Sequence, residues 1–393
     1  MVLSIKGHQQ LRRLYEAAER DRNRERFFED FAEALKAGDT KPEDFSIRQL
    51  FEQFVPNGRE LVDSWNPRQG GGVSLLEAGD AVQMGAFANI TGQIVYSAVL
   101  EKYSSEEFVF TKLIPTQSTP FNGEKIPGVT QLGDMAEEVG EAQPYPLAGV
   151  TEDWIETPQT KKRGMIDQIT KEALFFDRTG LILERCGEVG YWLGVNKEKR
   201  AIDCIIDENT TAHRYKWRGT TYATYQTTSP WDNVTASNTL ADWSDLDAAE
   251  QTFNAMVDPN TGETIDIEAT HLIVVKSLEA VANYILNATE IQRHIGGYAV
   301  SGNLTQEGGR NPYANKYQLV TSKRLATRLA NDAHWFLGTP GKYAKYMENW
   351  PLAVVQASPN SEDEFNRDIV TKYKASERGA FSVVEPRVMV SNQ

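Results

Sequence analysis

DRTGLILERCGEVGYWLGVNKEKRAIDCII, residues 177–206, is the stretch on which the reading of this chain turns. It holds no proline and reads as one helix over 178–206, about 40 Å long at 1.5 Å per residue, with Thr179 as a candidate cap. At about 100° per residue, Ile182, Cys186, Val189 and Leu193 fall within about 60° of one another and form an apolar stripe. Gly187, Gly190 and Gly194, with Ala201, share a second sector of similar width. An interior glycine costs a helix about 1 kcal/mol relative to alanine. Three on one face therefore point to close approach by a neighbouring backbone, and simple tolerance of glycine is the competing reading.

Upstream of this helix the charge is segregated. Between Ile126 and Thr160 there is no lysine or arginine, while Asp134, Glu137, Glu138, Glu141, Glu152, Asp153 and Glu156 are all acidic, and Lys161, Lys162 and Arg163 follow at once. Glycines and prolines punctuate the first half, and the alternation around Trp154-Ile155-Glu156 and Met165-Ile166-Asp167 predicts two extended arms. Together these describe a long projecting β-loop; a solvated acidic loop on an ordinary globular body is the other reading.

Further out, residues 9–37 predict one charged helix with Phe27, Phe28, Phe31 and Leu35 on its apolar face and Gly38 as its stop. A short helix follows near Pro42, carrying Ile47, Leu50, Phe51 and Phe54. The breaker run at 66–72 reads as a hinge between this extension and the main body.

Downstream, Ser244 and Asp247 resemble a capping box opening a helix through Phe253 to Val257. His271-Leu272-Ile273-Val274-Val275 predicts a buried strand, and Ser277 a cap for the helix after it. Strands are expected over 317–325, 334–337 and 352–355, with Pro340 opening a short helix that ends near Asn349. The tail from Asp368 to Val390 reads as strands broken at Arg378-Gly379 and Glu385-Pro386.

Composition narrows the function. The 393 residues are 40% hydrophobic and 24% charged, as in folded globular chains, with a net charge of −14 that argues against a surface built to grip phosphate backbones. The sequence predicts neither a membrane span nor a secretory signal, and Cys186 and Cys204 cannot make a disulfide framework. Nucleophile-elbow, zinc-helix, phosphate-loop and dinucleotide signatures are absent. Gly338-Thr339-Pro340-Gly341-Lys342 is too short to wrap phosphates, and the five histidines are scattered. The expectation is a non-enzyme with no catalytic, cofactor-binding or metal-binding residues and no cofactor. The arginines of 12–26 alternate with acids, which reads as a solvated, self-pairing helix.

In this order the elements resemble those of the tailed-bacteriophage major capsid proteins of the Hong Kong 97-like fold. The resemblance runs from about residue 85 to the end and is carried by ITKEALFFDRTGLILERCGEVGYWLGVNKEKRAIDCII, THLIVVKSLEAVANYIL, WFLGTPGKYAKYMENWPLAVV and DIVTKYKASERGAFSVVEPRVMV. It implies an α+β fold with a helical N-terminal extension over 1–72, scaffold-like or a retained arm. An extended N-arm over 73–120 and a β-hairpin E-loop over 121–165 follow. A peripheral domain over 166–243 and 365–393 contains the spine helix 178–206, and an axial domain covers 244–364.

The resemblance further implies a virion protein that assembles in the host cytoplasm into hexamers and pentamers of an icosahedral shell. That shell would enclose double-stranded DNA without sequence-specific binding, with portal, scaffolding and decoration proteins as partners. On this reading Glu137, Glu138, Glu141, Glu152, Asp153, Glu156, Lys161, Lys162 and Arg163 lie between subunits, and Gly187, Gly190 and Gly194 pack closely on the spine. Lys125 is the one lysine near the front of the loop where some members form a covalent crosslink. An encapsulin-like nanocompartment keeps the fold and changes the role. A cytosolic enzyme with an undiagnosed acid pair is the alternative of a different class.

Overall fold

The structure is a computed structural model that describes residues 5–55, 59, 81–128, 138–139, 153–170, 181–207, 215–228, 230–259, 261–294, 306–357 and 369–393. In chain order its helices are α1 (His8–Arg20), α2 (Arg24–Ala37), α3 (Ile47–Phe54), α4 (Ala81–Tyr103), α5 (Val109–Leu113), α6 (Leu181–Ile206), α7 (Trp243–Asn254), α8 (Glu279–Asn287), α9 (Lys323–Ala326) and α10 (Pro340–Tyr343). The chain divides into two compact units, Met1–Phe108 with Lys162–Asn196 and Trp350–Arg378, and Val109–Lys161 with Lys197–Asn349 and Gly379–Gln393. The predicted hinge at 66–72, the helix start at 178–180 with Thr179, and most of the projecting loop lie outside the described residues.

In the first unit, the single helix expected over 9–37 is two. The chain turns at Asp21-Arg22-Asn23, where Arg22 takes a left-handed φ of 54°, and α1 folds back on α2 so that Tyr15 meets Phe27 with ring centroids 5.8 Å apart. One straight helix would have left those apolar faces without a partner. Gly38 ends α2 in the left-handed conformation, with the Asp39 N–H donating to Ala34 O at 3.1 Å, as a glycine stop requires. Pro42 begins a separate turn, Pro42–Asp44, before α3.

Within the segment expected as an extended arm, 81–103 is instead helix α4, whereas Thr116–Ser118 is extended. Residues 81–100 carry no charged side chain and no proline, and with only uncharged polar residues among them, such as Asn89, Gln93 and Ser97, the hydropathy of the helix shows little period. One side of it is buried, while Asn89 is exposed and Gln93, Tyr96 and Ser97 are half-buried. Ile90, Ile94, Val95 and Val99 of α4 share one core with Leu11, Phe31, Leu50 and Phe51, with Cys186 and Leu193 of α6, and with Leu352 and Tyr373.

The second unit is built on a five-stranded sheet ordered Gln318–Ser322, His271–Val275, Trp335–Gly338, Met389–Asn392, Val234–Thr235. His271–Val275 runs parallel to the first of these and antiparallel to Trp335–Gly338, with Ile273 opposite both Val320 and Phe336. Alternation sorts the side chains. Leu272 and Val274 face Leu246 and Phe253 of α7 and Ile285 of α8, while Ile273 and Val275 belong to the core formed with Ile202, Ile205 and Tyr343. The tail strand Met389–Asn392 thus lies inside the sheet that holds His271–Val275, antiparallel to Trp335–Gly338 on one side and parallel to Val234–Thr235 on the other.

Several boundaries move. Helix α7 starts two residues early, because Asp242 caps it by accepting the Ser244 N–H at 2.7 Å while Asp245 receives the Asp242 N–H at 2.9 Å. Helix α8 begins after Leu278, without a side-chain cap from Ser277. The strand expected over 317–325 stops at Ser322, whose Oγ accepts the Arg324 N–H and opens α9. The helix after Thr339 lasts one turn, since Ala344–Gln356 forms a long strand. The expected break at Arg378-Gly379 does not occur: Ile369–Val383 runs through it. A Cβ at Gly379 would lie 2.4 Å from Tyr346 Oη, so the glycine there makes room for a ring and leaves the strand intact. The break at Glu385-Pro386 is present as the turn Pro386–Val388.

Candidate assembly surfaces

Three features were expected to mediate close packing or subunit contact, and the geometry separates them. The glycine face of α6 meets the second half of α4 within the first unit. A Cβ at Gly187 would stand 3.3 Å from Lys102 Cγ, at Gly190 2.1 Å from Val99 O, and at Gly194 2.4 Å from Phe108 Cε2 and 2.9 Å from Tyr103 O. The spacing of three and four residues keeps the three positions on one side, where the backbone of α4 lies. On the apolar stripe Cys186 and Leu193 are buried and Val189 is half-buried. The Cys186 thiol donates to Asp167 Oδ2 at 3.4 Å; burial, with Asp167 beside it, pushes the thiol pKa far up and keeps it protonated.

The second feature is the acidic loop. Its base is an antiparallel sheet, Lys125–Pro127 beside Trp154–Glu156, then Tyr215–Trp217 and Thr220–Tyr222. Arg218 and Gly219, both left-handed at φ 50° and 80°, make the tight turn between the last two strands. This sheet brings two of the acids to partners in their own chain. Asp153 accepts from Trp217 Nε1 and pairs with Arg218 Nε at 3.3 Å, and Glu156 pairs with Lys216. The hydrogen bond from Lys216 holds the Glu156 carboxyl below the usual carboxylate range. Lys125 Nζ lies 5.2 Å from the Trp154 ring centre. Glu138 is exposed, and Glu137, Glu141 and Glu152 lie outside the described residues.

The third feature is the basic triplet. Lys161 and Lys162 are exposed and Arg163 half-buried, at the start of strand Lys161–Thr170. Among the described residues this strand has one neighbour, Ile369–Val383, and no described strand pairs its other edge. It approaches that neighbour closely, because a Cβ at Gly164 would be 2.6 Å from Ala375 O. Met165 and Ile166, 42% and 59% exposed, follow. A ten-residue edge of this kind, bearing exposed apolar residues and guarded by lysines, suits pairing with another chain.

Sequence reasoning missed two buried charge sites. Glu198 is fully buried and accepts from Phe110 N at 2.9 Å, Thr111 N at 2.8 Å and Thr111 Oγ1 at 2.7 Å, supplying the unpaired donors at the start of α5. Arg387 is held by both oxygens of Glu385 at 2.7 Å, with Asp258 Oδ1 4.0 Å away. The second signal was present as Glu385-Pro386-Arg387, since Pro386 fixes the turn that lets neighbouring side chains fork together; the first has no local signature. Exposed Trp192 on α6 and Tyr284 on α8 were also unremarked.

Among the described residues no group of three or more histidine, cysteine, aspartate or glutamate side chains could hold a metal ion, and no helix is long and apolar enough to cross a membrane. Among the described residues the larger cavities are open grooves. The one in the first unit, about 790 Å³, is lined by Lys36, Lys41, Gln93, Tyr96 and Tyr373 among others.

A family described as phage capsid protein matches residues 155–392. Among solved structures, one titled Gordonia phage Cozz is 12% identical over 74% of this chain and 87% of its own, with a TM-score of 0.45. A virus-like particle from Pyrococcus furiosus is 11% identical over 76% and 96%, with a TM-score of 0.41. A phage-related protein from Bordetella bronchiseptica is 14% identical over 76% and 95%, with a TM-score of 0.44. At these scores the structural likenesses carry no weight, and the assignment rests on the family match. No curated protein matches the chain.

Proposed function

The chain belongs to the phage capsid protein family and is a major capsid protein, a structural component of a multimeric virion shell, and from that premise we propose how it builds the shell. Copies assemble in the host cytoplasm into hexamers and pentamers that close an icosahedral head around double-stranded DNA, with portal, scaffolding and decoration proteins as partners. The role is structural rather than catalytic. The observation that carries this reading is the family match over 155–392, more than half of the chain. It favours the virus shell over an encapsulin-like compartment.

The surface chemistry supports a division of labour. That edge of Lys161–Thr170, with Lys161, Lys162, Met165 and Ile166, is one contact between copies, and acids of the projecting loop, Glu137, Glu138, Glu141 and Glu152, are its complement. Opposite charges across such a contact set register and partner choice more than strength. Asp153 and Glu156 act within the subunit, where their pairing with Arg218 and Lys216 braces the root of the loop. Gly187, Gly190 and Gly194 join α6 to α4 inside the subunit and give the spine its rigidity. A net charge of −14 keeps the enclosed DNA from adhering to its container.

Electron microscopy and analytical ultracentrifugation of the purified chain test this. The expected result is closed particles of megadalton mass, and from infected cells, particles that protect DNA from nuclease. A compact monomer at high concentration, with or without viral helper proteins, overturns it.

A further inference from the structure

We propose that the N-terminal helical lobe, residues 5–55, is a permanent wall of the first unit that stays on the mature subunit, and is not a scaffolding piece that leaves after assembly. Helix α4 is what requires such a wall. Residues 81–100 contain no charged side chain. The buried side of the helix, with Ile90, Ile94, Val95, Ala98 and Val99, needs cover along its length. Its second half is covered by the glycine face of α6, where Val99 O and Tyr103 O approach the α6 backbone. Its first half has the lobe: Phe51 sits edge-on to Phe87 at 5.7 Å, and Gln93 Nε2 donates to Phe28 O at 3.3 Å.

The lobe has no separate core. Leu11, Phe31, Leu50 and Phe51 are buried in the same continuous cluster as Ile90, Ile94, Val99 and Leu193. Detaching residues 5–55 would therefore expose two apolar surfaces at once, one on the lobe and one on α4. The lobe is also locked internally in ways a transient arm does not need. His8 Nε2 accepts the Ser46 N–H at 2.7 Å, and the Ile5 N–H donates to Thr40 Oγ1 at 3.1 Å, each joining positions more than thirty residues apart. Charged residues of α1, such as the Arg12 and Glu16 pair, face outward and solvate the wall.

This inference takes its setting from the shell reading, and the two fail separately. Subunits recovered from mature particles are digested and their peptides quantified by mass spectrometry. The expectation is peptides spanning Phe27–Leu35 and Leu50–Phe54 at the same stoichiometry as those spanning Leu183–Leu193. Particles whose subunits lack them overturn the permanent wall and leave the shell standing. Hydrogen exchange on the full-length chain in solution gives a second reading that needs no particle. Amides of α2 and α3 are expected to exchange within about tenfold of those of Ile90–Val99, and L50D to accelerate exchange in α4 at least tenfold. If the lobe exchanges a hundredfold faster than α4, or L50D leaves α4 unchanged, the lobe is an appendage and the proposal is wrong.

Discussion

Adding a single methyl group at each of the three spine glycines should produce effects of different sign. In a helix interior, glycine to alanine contributes about 1 kcal/mol of stability when the methyl group meets open space or a yielding neighbour. At Gly187 the nearest atom is Lys102 Cγ at 3.3 Å, part of a flexible side chain. G187A should be neutral or up to about 1 kcal/mol stabilising. At Gly190 the nearest atom is Val99 O at 2.1 Å, with Val99 C and Cα at 2.9 and 3.0 Å. That group is backbone inside a helix and cannot swing aside, so the two helices must part by more than about 1 Å to restore ordinary separation. Overpacking of that kind costs about 1–3 kcal/mol, which outweighs the propensity gain or at best cancels it. G190A should therefore be destabilised by up to about 2 kcal/mol, and G190L, with a whole side chain to place, should fail to assemble. The assay is thermal unfolding of the full chain followed by circular dichroism, where 1 kcal/mol corresponds to about 2–4 °C in a unit of this size. If G190A melts above the wild type, or G187A and G190A move together, close approach is not the reason for these glycines.

Three further outcomes follow from the same geometry. E198A leaves two backbone N–H groups, the buried one of Phe110 and the half-buried one of Thr111, without their acceptor and should cost about 2–4 kcal/mol, read as a fall in Tm, while E198Q, which keeps one acceptor oxygen, should lose less. His8 is held below its ordinary pKa by burial, partly opposed by its hydrogen bond with Ser46, so the folded chain favours the neutral ring. As pH falls through the ordinary value near 6.5, the unfolded chain takes up the proton first; stability is present above that value and is lost below it until the folded pKa is reached. H8Q should flatten that part of the Tm against pH curve, and an unchanged slope would remove His8 from the account. Exchanging Lys161 and Lys162 for glutamate should leave the subunit Tm within about 2 °C, since both are exposed, yet reduce particle yield in a salt-dependent way. Normal yield at every salt concentration would exclude that edge as a contact.

How much of this was legible depends on the range over which each signal acts. The spine helix and the strand His271–Val275 could be read because a period of 3.6 or a short β-branched run is written within a dozen residues. Helix α4 could not: uncharged over 81–100, its hydropathy shows little period, and the contacts that bury one side of it come from distant stretches of chain. The turn at Arg22 was hidden because helix propensity continues through it, and only the pairing of Tyr15 with Phe27 makes folding back worthwhile. The loop acids were visible as a charge pattern, but the partners of Asp153 and Glu156 lie about sixty residues on, across a sheet. Gly379 was read as a break because glycine weakens strands in general; here the ring of Tyr346 occupies the missing Cβ.

The amino-acid sequence by itself determined the long spine helix with its apolar and glycine faces, the segregated charge ahead of it, and the order of elements from which the family resemblance was drawn. Tertiary structure alone decided which glycine has a carbonyl against it and which merely a lysine chain, which acids are already paired at home, and that residues 5–55 share a core with the spine. The difference is one of distance. Propensity and periodicity act between residues a few positions apart and can be summed along the chain. Whether a methyl group or a carboxylate meets a partner depends on where the backbone returns after tens or hundreds of residues, and no local pattern encodes that.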